Sequence, residues 1–312
     1  MLDPLLKPCH CRHMHIFGID FTSRPTRSKP ITCMECVLEG THLRAQCLAA
    51  WQDFAGFEAA MQRPGPWIAG IDFPFGQSRR FIETIGWPDT WPRYVDHVSR
   101  LGRQGFRTAL DAYRKDRPAG DKEHRRATDI AAGSISPQKL YGTPVGLMFF
   151  EGAPRLKDAG VTLPGLQLGD PDRIAVEAYP GMLARTLIGR RSYKQDTRAK
   201  QTPAQHQARR DLLGIIRRGG VEASHGVTVS APDELADDPQ ADHLDALLCA
   251  VQAAWAWSQR TRDFGAPSDL DPLEGWIADP SLLHPATGRL VSVASAKRKR
   301  SGVYGESSGG KK

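Results

Sequence analysis

Three short apolar runs in the chain each end in an acidic residue. They cover residues 15–20, 67–72 and 173–177. The first two share the tetrapeptide Gly-Ile-Asp-Phe, which begins at Gly18 and at Gly70. Apolar runs of this length, bounded by turn residues, are typical of buried strands. The pattern therefore predicts three strands that each carry a carboxylate at the carboxyl end.

The other periodic segments predict a hairpin and several helices. Residues 31–38 and 42–48 flank Glu39-Gly40-Thr41, a glycine-containing turn that is typical of a β-hairpin. Apolar residues at helical spacing predict helices in four segments, which are 51–61, 182–188, 203–218 and 242–257. The last of these has the clearest apolar side.

The order of these elements predicts an α/β fold with a mixed sheet flanked by helices. One domain is expected over residues 14–257, with a helical insertion over 78–170 between the second and third acidic strands. Residues 258–288 are rich in Pro and Asp and are expected to wrap the surface. A disordered extension is predicted for 1–13, and a disordered basic tail for 289–312.

The composition is that of a globular protein. Of the 312 residues, 40% are hydrophobic and 25% are charged, which excludes collagen-like, disordered and coiled-coil classes for the chain as a whole. No apolar run approaches the ~18–20 residues that span a bilayer, and the first residues lack the apolar core of a secretory signal. A cytoplasmic protein without a membrane partner is therefore expected.

The formal net charge of +7 is unevenly spread. The predicted tail, 289–312, holds seven bases and one acid, so it accounts for most of the excess. Residues 185–218 hold ten bases and two acids, whereas 222–245 hold seven acids and neither Lys nor Arg. This segregation suits a polyanion bound beside a metal site, and it is equally typical of solvated helix faces.

Two cysteines, Cys33 and Cys36, have the spacing of half a zinc knuckle, and Cys9 and Cys11 are candidates for the other half. Residues three apart on a strand point to opposite faces of the sheet, however. The predicted strand over 31–38 therefore favours buried cysteines over zinc ligands.

The strand-end acids are candidates for one shared site. In open α/β sheets the carboxyl ends of the strands form the ligand crevice, so Asp20, Asp72 and Glu177 are expected to converge there. Asp242 and Asp245 lie three apart in a predicted helix and share one of its faces. Asp242 is equally a candidate helix cap.

The candidate ligands are all carboxylates, which repel one another unless cations are bound among them. Oxygen ligands favour Mg²⁺ or Mn²⁺ over zinc. A pair of such ions would clamp the attacking and leaving oxygens of a phosphodiester and generate a hydroxide. Two ions of Mg²⁺ or Mn²⁺ are therefore the expected cofactors, with a ligand set of Asp20, Asp72, Glu177, Asp242 and Asp245.

Four motifs resemble those of the domain-of-unknown-function 429 family, over roughly residues 14–257. They are Gly18-Ile19-Asp20, Gly70-Ile71-Asp72, Glu177-Ala-Tyr-Pro-Gly181 and Asp242-His243-Leu244-Asp245. The resemblance implies an RNase H-like fold, related in topology to RuvC-type resolvases, and a predicted nuclease activity. It implies that Asp20 is the central metal ligand and that Asp245 acts with Asp242. Either Asp72 or Glu177 would be the second strand acid.

Basic residues near these motifs are candidates for binding the substrate. Arg125, Arg126 and Lys139 resemble a family motif between the second and third acidic strands, and they are candidate phosphate ligands. Asp129 would orient an arginine or join the metal shell. Lys194 is a candidate contact to a nucleic-acid backbone, and surface helix faces are the alternative for all of these residues.

Three functions are compatible with these residues. The first is metal-dependent phosphodiester hydrolysis, with Asp20, Asp72, Glu177 and Asp245 as catalytic residues and DNA or RNA as the partner. The second is a non-catalytic nucleic-acid-binding module of the same fold. The third is an ATP-using enzyme related to actin and sugar kinases, which is disfavoured because the segment after Asp20 lacks a glycine-rich phosphate loop.

Overall fold

A computed structural model describes residues 13–291 of the chain, and a seven-stranded mixed sheet lies at its centre. The strands are β1 (His13–Asp20), β2 (Ile31–Glu39), β3 (His42–Trp51), β4 (Trp67–Ile71), β5 (Val161–Thr162), β6 (Asp170–Glu177) and β7 (Thr228–Ser230). The predicted hairpin is confirmed, because β2 and β3 pair antiparallel from Glu39 and His42 onward. All three predicted acidic strands are present as β1, β4 and β6.

The strand order is β5-β6-β4-β1-β2-β3-β7. Strands β1, β2 and β3 form an antiparallel meander, while β4 and β6 run parallel to β1 on its other side. This arrangement is α/β with a mixed sheet flanked by helices, as expected, and it is consistent with an RNase H-like fold. It brings the carboxyl ends of β1, β4 and β6 to the same edge of the sheet.

Nine α-helices occur within residues 13–291. They are α1 (Phe54–Met61), α2 (Arg79–Ile85), α3 (Trp91–Lys115), α4 (Ala127–Ala132), α5 (Val145–Ala159), α6 (Pro180–Ile188), α7 (Pro203–Ile215), α8 (Glu222–His225) and α9 (Asp242–Ser258). Since strand side chains alternate between faces, the sheet has an apolar core on each side. One core includes α1, α3 and α5, and the other includes α6, α7 and α9.

Two predicted helices differ from the observed ones at their ends. Helix α1 begins at Phe54 because β3 continues to Trp51 and the Asp53 carboxylate accepts a hydrogen bond from the Gly56 N–H at 3.3 Å. Helix α7 ends at Ile215, and a π-type turn follows in which Gly219 has a φ of 87°. That left-handed conformation interrupts the regular helix expected to Arg218.

Residues 258–288 pack more deeply than a surface wrap. Leu273, Trp276 and Ile277 are buried, and Ile277 forms a parallel bridge with Glu177 at the end of β6. This segment therefore belongs to the core beside the strand ends. The predicted extension over 1–13 and the tail over 289–312 lie outside the described residues, apart from His13 in β1 and residues 289–291.

The cysteines of β2 lie where strand geometry predicts. Cys33 and Cys36 are buried in the two cores on opposite faces of the sheet, and burial raises the pKa of both thiols. Cys9 and Cys11, the other zinc candidates, are outside the described residues. None of the helices between residues 13 and 291 has the length and apolarity that a bilayer crossing requires.

Candidate functional site

Asp20 and Asp72 lie beside each other at the carboxyl ends of two adjacent parallel strands. Asp20 is the last residue of β1, and Asp72 directly follows β4. The strands pair with Ile19 opposite Ile71, and the Asp72 N–H donates to the Ile19 carbonyl at 2.9 Å. The repeated Gly-Ile-Asp of the sequence therefore places two carboxylates at one point on the sheet edge.

The two glycines of this repeat let α9 approach the sheet. A Cβ atom on Gly18 would lie 1.9 Å from the Ala246 carbonyl oxygen, and one on Gly70 would lie 2.3 Å from the Cys249 carbonyl oxygen. Real side chains do not tolerate such distances, so the helix backbone rests directly on β1 and β4. Asp20 and Asp72 follow these glycines by two positions, which returns their side chains to the helix face.

Helix α9 supplies the other two carboxylates from its first turn. Asp242 and Asp245 are both buried, and Ala241 before them has a left-handed φ of 62°. Asp242 is the first residue of the helix rather than its cap, and its carboxylate accepts hydrogen bonds from a lysine instead. The alternative that Asp242 caps α9 is therefore wrong, because the side chain faces the strand ends.

The four aspartates interact strongly. Burial raises the pKa of Asp20 well above its ordinary value, and repulsion from Asp242, Asp245 and Asp72 adds to the effect. Burial also raises the pKa of Asp72, to about 7, although the Lys194 ammonium opposes the rise. Clusters of this kind are typical of functional sites.

Lys194 and Tyr193 hold Asp245. The Lys194 Nζ donates to Asp245 Oδ2 at 2.7 Å, and the Tyr193 hydroxyl donates to Asp245 Oδ1 at 2.7 Å. The carboxylate raises the pKa of Lys194, so the lysine stays charged. Lys194 thus contacts a predicted metal ligand directly, where the sequence suggested a contact to the substrate backbone.

Lys29 holds Asp242, and the sequence gave no indication of this role. Its Nζ donates to Asp242 Oδ1 at 2.8 Å and to Oδ2 at 3.1 Å. Burial lowers the pKa of Lys29, but the Asp242 carboxylate outweighs this effect and raises it. A lone lysine in the loop between β1 and β2 resembles any surface lysine, because its partner lies 213 positions away.

A cavity of about 380 Å³ is lined by three of the aspartates, Asp20, Asp72 and Asp242, and by both lysines. Its acidic groups offer only oxygen ligands, which suit Mg²⁺ or Mn²⁺. Among residues 13–291, no group of three His, Cys, Asp or Glu side chains is disposed as it stands to hold a metal ion. Lys29 and Lys194 contact the carboxylate oxygens of Asp242 and Asp245. In the same part of the chain, we find no hydrogen bond to the carboxylate of Asp20 or Asp72.

Glu177 does not lie among the four aspartates, although it lines a neighbouring cavity together with Asp72. It lies in register with Ile71 rather than with Asp72, so its side chain points to the opposite face of the sheet. There the Arg126 guanidinium donates to its two oxygens at 2.5 and 2.7 Å, and the Phe75 N–H donates at 2.8 Å. Of the two candidates for the second strand ligand, the geometry therefore favours Asp72, and Glu177 is a structural ion-pair partner.

Arg126 is not placed to bind phosphate, contrary to expectation. Its side chain is 1% exposed and also pairs with Asp129, whose oxygens lie 2.9 Å from its nitrogens. Burial would lower the pKa of Arg126, but the carboxylates of Asp129 and Glu177 raise it. Asp129 therefore orients an arginine, which was one of its two predicted roles.

A second cavity adjoins the first and contains other basic residues. It measures about 470 Å³ and shares Asp72 and Lys194 with the aspartate cavity. Lys139 and Arg185 also line it, so Lys139 remains a candidate phosphate ligand and Arg185 is a new one. Arg125 is exposed and lines neither cavity.

Three residues of the site were not predicted from the sequence, namely Gly18, Gly70 and Lys29. The glycines did carry a signal, because both precede an acid by two positions in a repeated motif. Lys29 carried none, since a loop brings it to Asp242.

A model of the family described as "Protein of unknown function (DUF429)" matches residues 18–269. The chain belongs to this family. Searches of curated proteins and of solved structures each returned no significant match.

Proposed function

We propose that this protein is a metal-dependent nuclease that hydrolyses phosphodiester bonds in DNA or RNA. The observation that supports this function best is the pair of open carboxylates, Asp20 and Asp72, side by side at the strand ends and flanked by Asp242 and Asp245. Asp20 and Asp72 are the proposed metal ligands, Asp242 and Asp245 complete the acidic cluster around them, and Glu177 is left out.

The chain's own residues have distinct tasks in this proposal. Asp20 and Asp72 hold Mg²⁺ or Mn²⁺, which when bound supplies Lewis-acid stabilisation and lowers the pKa of water. Tyr193 and Lys194 fix Asp245 within the site. Lys139 and Arg185 bind the phosphates that flank the scissile bond, since both line the adjoining cavity.

Asp20→Asn tests the proposal. The purified protein is incubated with Mg²⁺ or Mn²⁺ and labelled single-stranded, duplex, junction and hybrid substrates. We expect the wild type to cleave at least one substrate, and the variant to fold normally but lose cleavage, because the amide is a poor metal ligand. A variant that cleaves as fast as the wild type would show that Asp20 has no catalytic role.

A second candidate function is a non-catalytic nucleic-acid-binding module. The ion pairs that neutralise Asp242 and Asp245 favour it, because they occupy half of the carboxylates. This function would give tight binding with a steep salt dependence and no cleavage with either metal. Binding assays with the same substrates therefore separate the two candidates.

A further inference from the structure

The aspartate cluster contains two positive charges of its own. Asp20, Asp72, Asp242 and Asp245 supply four carboxylates, whereas Lys29 and Lys194 supply two ammonium groups in direct contact with the helix acids. The formal charge that remains on these six groups is −2. One divalent cation would neutralise this charge, whereas two would leave a net charge of +2. Asp196 also contacts Lys29, at 3.4 Å, but its side chain is 74% exposed and solvent screens its charge.

Both lysines reach their partners from the solvent side. The Asp245 side chain is 1% exposed beneath Lys194, which is 50% exposed. The Asp242 side chain is 8% exposed beneath Lys29, which is 36% exposed. Any ion that approached the helix acids from the cavity would therefore have to displace an ammonium group from a nearly buried carboxylate.

The backbone around each lysine is fixed by hydrogen bonds. The buried Arg209 guanidinium donates to the Tyr193 carbonyl at 3.0 Å, and the Gln195 N–H donates to the Pro239 carbonyl at 3.0 Å. In the other loop, the Lys29 N–H donates to the Thr26 hydroxyl at 3.1 Å, and the Thr26 N–H donates to the Lys29 carbonyl at 3.0 Å. The lysines are thus held in place beside the acids.

We infer that Lys29 and Lys194 are built-in counter-cations that limit this centre to one divalent cation, bound by Asp20 and Asp72. The inference rests on the proposed function, but it replaces the two-ion expectation with a single ion. Lys194 and Lys29 act as positioning residues that keep Asp245 and Asp242 from binding a second ion. Like charges a few ångströms apart repel strongly in a partly buried site, which explains why the lysines exclude another ion.

Counting bound Mn²⁺ without substrate tests this inference directly. The titration is followed by calorimetry and by the electron paramagnetic resonance signal of free Mn²⁺. We expect one ion per wild-type chain and two ions per chain in the double variant Lys29→Met/Lys194→Met, whose four carboxylates balance two divalent cations. The first ion should also bind about tenfold more tightly in each single variant, Lys29→Met and Lys194→Met, because a neighbouring positive charge is gone.

Two further variants serve as controls. Lys194→Arg keeps the charge and should again bind one ion, which separates the effect of charge from that of shape. Lys157→Met removes a lysine that pairs with Asp96 at 2.8 Å, away from the cluster, and should bind one ion with wild-type affinity. Thermal unfolding of each variant verifies that it is folded, and the tighter binding of the first ion by Lys29→Met provides the test if the double variant does not fold.

The outcomes separate the inference from the proposed function. Two ions in the wild type would overturn the inference and leave a metal-dependent nuclease intact. One ion in the wild type and still one in the double variant would also overturn it, because the lysines would not set the count. A wild type that binds no ion would overturn the proposed function itself.

Discussion

Gly18 of β1 lies directly opposite Gly70 of β4, and both are in contact with the backbone of α9. The two glycines leave the sheet without side chains on the face that α9 covers, two positions before Asp20 and Asp72. Because no side chain separates the helix from the strands there, the first turn of α9 reaches the strand ends. The close packing of helix and sheet thus assembles the aspartate cluster.

Gly18→Ala should destabilise the protein by about 3 kcal/mol or more, because the new methyl group would overlap the Ala246 carbonyl oxygen. Chemical denaturation measures the change. Gly105→Ala is the matched control, since its Cβ would lie 3.3 Å from the Leu101 Cβ within the same helix. We expect that control to change stability by less than about 1 kcal/mol, and equal losses in both variants would contradict the packing argument.

Arg126→Met should destabilise the protein by about 3–5 kcal/mol, because Asp129 and Glu177 would be left as buried charges without the opposite charge of the guanidinium. The neighbouring substitution Arg125→Met removes an exposed guanidinium and should change stability by less than about 0.5 kcal/mol. Thermal and chemical unfolding of both variants measures the difference. Similar values for the two would show that the buried ion pairs contribute little.

Asp72→Asn should make the metal-free protein more stable at about pH 8 and change it little below about pH 4. The folded protein raises the pKa of Asp72 from 3.8 to about 7. The protonated Asp72 side chain therefore contributes its full stabilisation below a pH of 3.8, and this stabilisation is lost as the pH rises through about 7. The neutral amide removes this loss, and thermal unfolding across the pH range, with a metal chelator present, measures it.

Asp170→Asn is the control for that pH dependence, because it should act in the opposite sense. Hydrogen bonds from the Asp172 N–H and the Arg173 side chain lower the pKa of Asp170. Its contribution to stability is present above the ordinary pKa and is lost as the pH falls. Asp170→Asn should therefore lower the free energy of unfolding at neutral pH. For Asp72→Asn, a curve of stability against pH that runs parallel to that of the wild type would contradict the raised pKa of Asp72.

Much of the fold followed from local patterns in the sequence. The three acidic strands are short apolar runs, and the hairpin and helix α9 have clear local patterns. All of them were predicted within a few residues. The ends of α1 and α7 were predicted less well, because a capping aspartate and a left-handed glycine determine them. The burial of Trp276 and Ile277 was missed, since irregular segments have no period that reveals their contacts.

The sequence by itself determined which acids stand at strand ends and in the first turn of α9, because composition and period specify those positions. Only the tertiary structure decided which of them meet. The motif around Glu177 is similar to the other two, yet β6 pairs with β4 so that Glu177 is opposite Ile71. A shift of one residue in register turns a strand side chain to the other face. That shift places Glu177 against Arg126. Contacts between loops likewise bring Lys29 to Asp242, which lies 213 positions away in the sequence.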